Sequence, residues 1–486
     1  MTGYRSRRTR GRTKLPWLIW LNVISLSLTG GVFAEEIDVV EPPDYQSIVI
    51  GPKLPPDVSL TQENRQRDMD AFSWQSFVAL NWPSTAAGTP DYQTMIGSTS
   101  SGDHNVVWQH WSATADIFDL AADKTPKWGQ QFVPALCRQS ADYRPGIKVL
   151  ASVSKSDDFF EEAFDSGPLV DQSGNFTRYE IRINKPMFDT VVQNSLYTVA
   201  GQEAASSVSF TCGDNGSGDE GAVMLKAAWK VLSAEDDTSR YHAVPAMVFT
   251  PGQYRSDGQD ACELETVGLA GLHVVHKTVQ QPQWIWSSFE QIDNVPDCEA
   301  QNTFFTDPSA LNSPQCPDTV ADQYSYFKNS GSTACNAAPP PNSSDGGYHL
   351  DKAAAPSRVC RANALETSAP PVNQAYQTLL KAINPASVWQ YYQLIGTQWN
   401  ADIQSSCTLD TDYVKDNTLP QYKIKDSSVG PTPLPMANST MEGYEQGTAN
   451  CISCHASANL KAKPNGATTA LPSDFVWFLN QELDTE

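Results

Sequence analysis

Ten cysteines constrain this 486-residue chain more than any other feature. Two of them stand in Cys451-Ile452-Ser453-Cys454-His455. The others are Cys137, Cys212, Cys262, Cys298, Cys316, Cys335, Cys360 and Cys407, and no second metal-type spacing occurs among them. An even remainder of eight suits up to four disulfides if the chain reaches an oxidising compartment. Eight cysteines allow about 105 pairings, and the sequence does not choose among them.

The N-terminus predicts that compartment. Arg5, Arg7, Arg8, Arg10, Arg12 and Lys14 form a basic region, an apolar stretch runs from Leu15 to about Leu28, and Val32-Phe33-Ala34 has the small-x-small form of a cleavage site. Pro16, Asn22, Ser25 and Ser27 interrupt the apolar stretch, whereas a spanning helix needs about 20 cleaner residues. Residues 1–34 are therefore read as a signal peptide, and the mature chain as periplasmic or secreted with no membrane span. Cleavage removes six cations and no acid, which takes the formal charge from −22 to −28. Such acidity argues against nucleic acid and suits a cationic partner.

Cys-x-x-Cys-His is the attachment motif of haem c. Two thiols separated by two residues reach the two vinyl groups on one edge of a haem, and the adjacent histidine then lies beneath the iron. Cys451 and Cys454 are the predicted covalent anchors of one haem, and His455 the proximal ligand. The distal ligand is harder to find. No Met or His follows His455, and Lys461 and Lys463 lie close to the proximal side. A distal ligand must come from upstream, or the iron is open. Met441 is the first candidate and Met436 the next. His273 and His276 form a second source. Three residues apart on a strand, they point to opposite faces, so both cannot reach one iron. His276 is taken as the histidine candidate.

Hydrophobic periodicity predicts a helix over about 61–80, with Ser59 and Gln62 at capping-box spacing. Strands are expected over 176–184, 222–232, 242–250, 268–277 and 284–289, and helices over 375–383 and 387–399. The stretch 306–373 is rich in Pro, Ser, Asn and Gly but holds Cys316, Cys335 and Cys360, which predicts an irregular excursion stapled by disulfides. The expected division is a mixed body over 35–305, that excursion, and a helical haem-binding segment over 374–486. The fold class is α+β: a mainly antiparallel sheet over about 140–300, flanking helices, and the haem in a crevice beside the C-terminal segment.

Several blocks carry a resemblance. Arg178 to Lys185, Leu225 to Lys230, Gly271 to Lys277, Trp284 to Pro296 and Ala437 to Tyr444 resemble the large bacterial proteins called cytochrome c family proteins, which have one C-terminal Cys-x-x-Cys-His motif. The resemblance runs from about Phe72 to Phe478. It implies export and covalent haem, and names no reaction. Two activities stay open: electron transfer to an unidentified redox partner, or a haem oxidoreductase with an open iron acting on peroxide, oxygen or a small substrate.

Overall fold

The computed structural model of the chain describes residues 37–39, 48–61, 64–98, 105–119, 124–151, 167–302, 315–318, 320, 323–328, 335–344, 346–400, 407, 435–464 and 467–480. The export segment read at residues 1–34 lies outside them. Every element named below belongs to one unit, Ala34–Glu486.

Two short strands, β1 (Ile37–Val39) and β2 (Ile48–Ile50), pair antiparallel ahead of helix α1 (Arg65–Leu80). The helix starts later than position 61. The Asp68 carboxylate accepts from the Thr61 backbone N at 2.6 Å and from its Oγ1 at 2.7 Å, and that spends the acid on the preceding segment. Asn64 stands at the N-cap without a side-chain bond.

Next come β3 (Ser112–Ala113), α2 (Ala115–Phe118), α3 (Ala135–Gln139), β4 (Lys148–Leu150), β5 (Arg178–Ile183), α4 (Lys185–Gln193) and α5 (Val199–Ala204). The central strands are β6 (Val223–Val231), β7 (Ala243–Thr250), β8 (Ala261–His276) and β9 (Ile285–Gln291). The chain continues through β10 (Asp297–Asn302), β11 (Arg361–Asn363), α6 (Ala369–Ile383), β12 (Tyr392–Gln398) and α7 (Cys451–His455).

The architecture is α+β, built on a large, mostly antiparallel, curled sheet. Strand order is β12-β9-β8-β6-β5-β3. The sheet forks at β8, because its first half pairs with β7 and its second half with β6. Only the β4–β7 pairing in this sheet is parallel. Alternation gives each strand two faces. Leu225, Ala227 and Trp229 of β6, Leu272 and Val274 of β8, Phe289 of β9 and Leu394 of β12 share one core with Trp74, Phe77 and Val78 of α1 and Val372, Tyr376 and Leu380 of α6. On the opposite face, Ile183, Met224, Val275 and Trp286 share a core with Met187 and Phe188 of α4, Ile452 of α7, and Phe475. Burying each such large side chain contributes about 1.5–3 kcal/mol.

The helix expected over 387–399 is a strand. A 3-10 turn, Val388–Tyr391, leads into β12, which pairs with β9 from Tyr392↔Gln291 to Gln398↔Trp286. The edge of β9 supplies the backbone partners that a helix would have supplied within itself. Pairing also buries Tyr392 and Leu394 beside α1 and α6.

Four disulfides join Cys137–Cys262, Cys212–Cys407, Cys298–Cys360 and Cys316–Cys335. Such bridges fit an oxidising location outside the cytoplasm. Cys298–Cys360 brackets most of the irregular stretch, and β10 and β11 pair in parallel beside that bridge. Among the described residues, no helix is long and apolar enough to cross a membrane.

Candidate functional site

Helix α7 is a single capped turn. The Asn450 side chain accepts from the Ser453 backbone N at 2.9 Å, which satisfies an otherwise orphaned N–H and fixes where the turn begins. Ile452 is buried in the core on the second sheet face, so Cys451, Cys454 and His455 are left partly exposed around it. Cys451 and Cys454 are free thiols, while the eight other cysteines are bridged. Burial pushes both thiols up, the opposite of the shift that activates a redox-active Cys-x-x-Cys pair.

His455 is held from two sides. Its ring lies 4.4 Å from that of Trp286, centroid to centroid. Its Nδ1–H donates to the Phe475 carbonyl at 2.7 Å. A carbonyl can only accept, so the bond fixes the tautomer and leaves the Nε2 lone pair available for a metal. Burial pulls the imidazole down to about 4, and the neighbouring Lys226 acts in the same direction. At neutral pH the ring is uncharged, as a metal ligand must be.

The carbonyl that orients His455 belongs to a strained turn. Asp474 and Phe475 both have positive φ, +53° and +70°. Neighbours hold that backbone in place. The Asp474 carboxylate accepts from the Phe210 backbone N at 2.8 Å and from Lys277 Nζ at 2.5 Å, and its carbonyl accepts from Trp284 Nε1 at 3.1 Å. Strain of this kind persists where the surroundings over-determine it.

Register arranges the second sheet face in rows across the strands. One row holds Ile183, Met224, Val275 and Trp286, and α7 lies on it. Two residues along lies the row Ile181, Lys226, His273 and Ser288. Beyond that come Tyr179, Ala228, Gly271 and Glu290. The turn 438–442 covers this third row. Tyr179 Oη donates to the Thr440 carbonyl at 2.7 Å, and Ser439 Oγ to Glu290 at 2.8 Å. Gly271 permits that approach, since a Cβ there would lie 2.1 Å from Thr440 Oγ1.

The middle row is the opening between α7 and this turn. From Val223 to Lys230 every residue but Lys226 is buried, and from Val267 to His276 every residue but His273. A polar strip is thus left partly open on otherwise covered central strands. Glu442 borders it. Burial raises its carboxyl, but His273, with Oε2 3.6 Å from His273 Nε2, and the Asn438 N–H at 2.9 Å bring it below its ordinary value.

The predicted residues fall in different places. Cys451, Cys454 and His455 lie together on α7. Met441 is fully buried against Tyr179 and Ala228, two rows from Trp286. Met436 lies near Gly396 of β12, where an added Cβ would come 3.3 Å from its sulfur. His276 is on the opposite face of the sheet. Its ring lies 5.4 Å from that of Phe72 in α1, and its Nε2–H donates to the Glu220 carbonyl at 2.5 Å. His276 is therefore not brought to α7, and His273 is the histidine that faces it. Lys226, Trp286, Glu442 and Phe475 complete the site. No sequence pattern singles them out as a group, because register and a distant turn assemble them.

His276 gives a pH prediction. Burial lowers it to about 4, against about 6.5 for an exposed histidine. Between those values the unfolded chain binds the additional proton, so stability falls as pH is lowered through the window. The expected loss from this residue is on the order of 3 kcal/mol between about pH 7 and pH 4. Urea unfolding across that range checks it: His276→Gln should flatten the slope, and an unchanged slope refutes the assignment.

Compared with protein-family models, curated proteins and solved structures, the chain matches none.

Proposed function

We propose that this chain is an exported mono-haem c-type cytochrome that carries single electrons, periplasmic or secreted after cleavage of residues 1–34. One observation carries the reading. The two cysteines outside the disulfide set lie on one capped turn, next to a histidine whose Nδ1 is tied to a carbonyl and whose Nε2 is left for a metal. Cys451 and Cys454 would hold the haem covalently, and His455 would be its proximal ligand. When bound, haem supplies an iron that takes and gives one electron. The fit is supported by the buried, unbonded His273 Nε2 and by the open strip between α7 and the 438–442 turn. Kinship with the large cytochrome c family proteins is part of the same proposal.

The protein's own groups set the conditions of that site. The Phe475 carbonyl orients His455 and makes its ring a stronger donor. Trp286, Val275 and Ile452 keep water from the proximal side. An acidic surface, −22 for the whole chain, would steer a cationic redox partner.

A haem oxidoreductase is the second reading. Lys226, His273 and Glu442 favour it, because a distal side built for electron transfer alone needs no such trio of ionisable groups. Covalency tests what both readings share. The chain is produced with a c-type maturation system and extracted with acidified organic solvent. Wild type should keep essentially all its haem on the polypeptide, and Cys451→Ala/Cys454→Ala should lose all of it to the solvent. Haem that leaves the wild-type chain refutes the proposal.

A further inference from the structure

We propose that His273 is the second axial ligand of the haem iron, opposite His455. The inference rests on the haem reading above and deepens it.

Strand register comes first. β8 alternates its side chains, so His273 shares a face with Val275, while His276 faces α1. Val275 pairs with Trp286, the residue whose ring lies against His455. His273 is thus the diagonal neighbour of Trp286 across the β8–β9 pair, about 7–8 Å away along the sheet. That sets His273 on the sheet face that α7 covers, next to the residue packed against His455.

The ring itself comes second. Its Nε2 is buried and makes no hydrogen bond. Glu442 Oε2 is the near oxygen, at 3.6 Å, beyond bonding distance. A buried acceptor or donor without a partner costs free energy, and ligation of a metal removes that cost. Breaking so long a contact with Glu442 loses little. Glu442 itself is fixed by the Asn438 N–H at 2.9 Å and stays as a positioning group beside the ring.

The other upstream donors are engaged elsewhere. Met441 is enclosed by Tyr179 and Ala228, and Met436 is packed at β12. Lys226, paired with His273 across β6 and β8, holds its Nζ over the Tyr179 ring, 5.6 Å from the centroid. Among the described upstream donors, His273 combines position, partial exposure and a ring nitrogen that makes no hydrogen bond.

The consequence is that a bound iron would be six-coordinate, held between the rings of His455 and His273. Such a centre changes oxidation state with little rearrangement and is closed to peroxide, oxygen and carbon monoxide.

The test uses the full mature chain carrying haem. Acid-solvent extraction is done first on the same sample, so loss of the haem overturns the parent reading, separately from ligation. Electron paramagnetic resonance and near-infrared spectroscopy then examine the ferric wild type. The expected result is a low-spin bis-imidazole spectrum without a sulfur-to-iron band, and a ferrous form that does not bind carbon monoxide rapidly. A sulfur band, an amine-type spectrum or a high-spin iron overturns the proposal. His273→Ala should turn the iron high-spin and open it to carbon monoxide, while Met441→Leu keeps the wild-type spectrum. If His273→Ala does not accumulate, His273→Met decides. It should stay low-spin, gain a sulfur-to-iron band and raise the potential. No new band in that variant overturns the assignment.

Discussion

Replacing Glu290 by alanine is expected to lower the stability of the protein by about 3–5 kcal/mol, because it strands a buried guanidinium. Glu290 is fully buried on β9. It pairs with Arg361 of β11, which is itself buried. It also accepts from the Ser439 backbone N at 3.0 Å and from Ser439 Oγ at 2.8 Å. One carboxylate therefore joins three pieces: the central sheet, the segment behind the Cys298–Cys360 bridge, and the turn that carries Met441 and Glu442. Alanine leaves Arg361 with only the exposed Asp297, 3.6 Å from its Nε, and removes the Ser439 bonds that help hold the turn on the third row. Glu290→Gln keeps an acceptor for Ser439 and loses only the charge, so its cost should be smaller. Urea unfolding of the disulfide-intact protein measures both. A loss below about 1 kcal/mol for the alanine variant would show that water or a rearranged Arg361 replaces the pair.

Such joints were not legible in the sequence, and the reason is physical. Local signals do exist for elements. Alternation marked the strands around Arg178, Val223, Ala243 and His273, and apolar spacing marked α1 and α6. The motif at Cys451 could be read locally because Cys451, Cys454 and His455 are close in sequence, and they lie on one turn. β12 was misread as helix because its strand character depends on the edge of β9, a hundred residues upstream. The surroundings of α7 were obscured for a similar reason. Spacing told that His273 and His276 face opposite ways, but not which face α7 would cover. That choice is made by Ile452, Phe475 and Trp286, whose common core forms only after the chain has returned to the sheet. Glu442 and Lys226 likewise meet through register and a turn held by Glu290, and no local pattern encodes either.

The turn that orients His455 gives the other large effect. Asp474→Ala is expected to cost about 3–5 kcal/mol and to disturb the orientation of His455 as well. Lys277 is buried and bonded to this carboxylate at 2.5 Å, so alanine leaves an unpaired ammonium in the core. The Phe210 N–H loses its acceptor too. Backbone conformation adds to this. Position 474 has φ of +53°, where aspartate is tolerated better than alanine. Once the turn relaxes, the Phe475 carbonyl moves, and His455 Nδ1–H loses the bond that fixes its tautomer. Two variants separate charge from conformation. Asp474→Asn keeps a side chain suited to positive φ and an acceptor for Phe210, so it should destabilise through Lys277 while leaving His455 oriented. Lys277→Met added to Asp474→Ala removes the stranded charge and should recover most of the stability, but not the histidine orientation. Urea unfolding reads the first effect, and the haem-region spectrum of the loaded protein reads the second. If Lys277→Met recovers nothing, the buried ammonium is not the cause. If Asp474→Ala leaves the spectrum unchanged, the carbonyl of Phe475 does not depend on this carboxylate for its place.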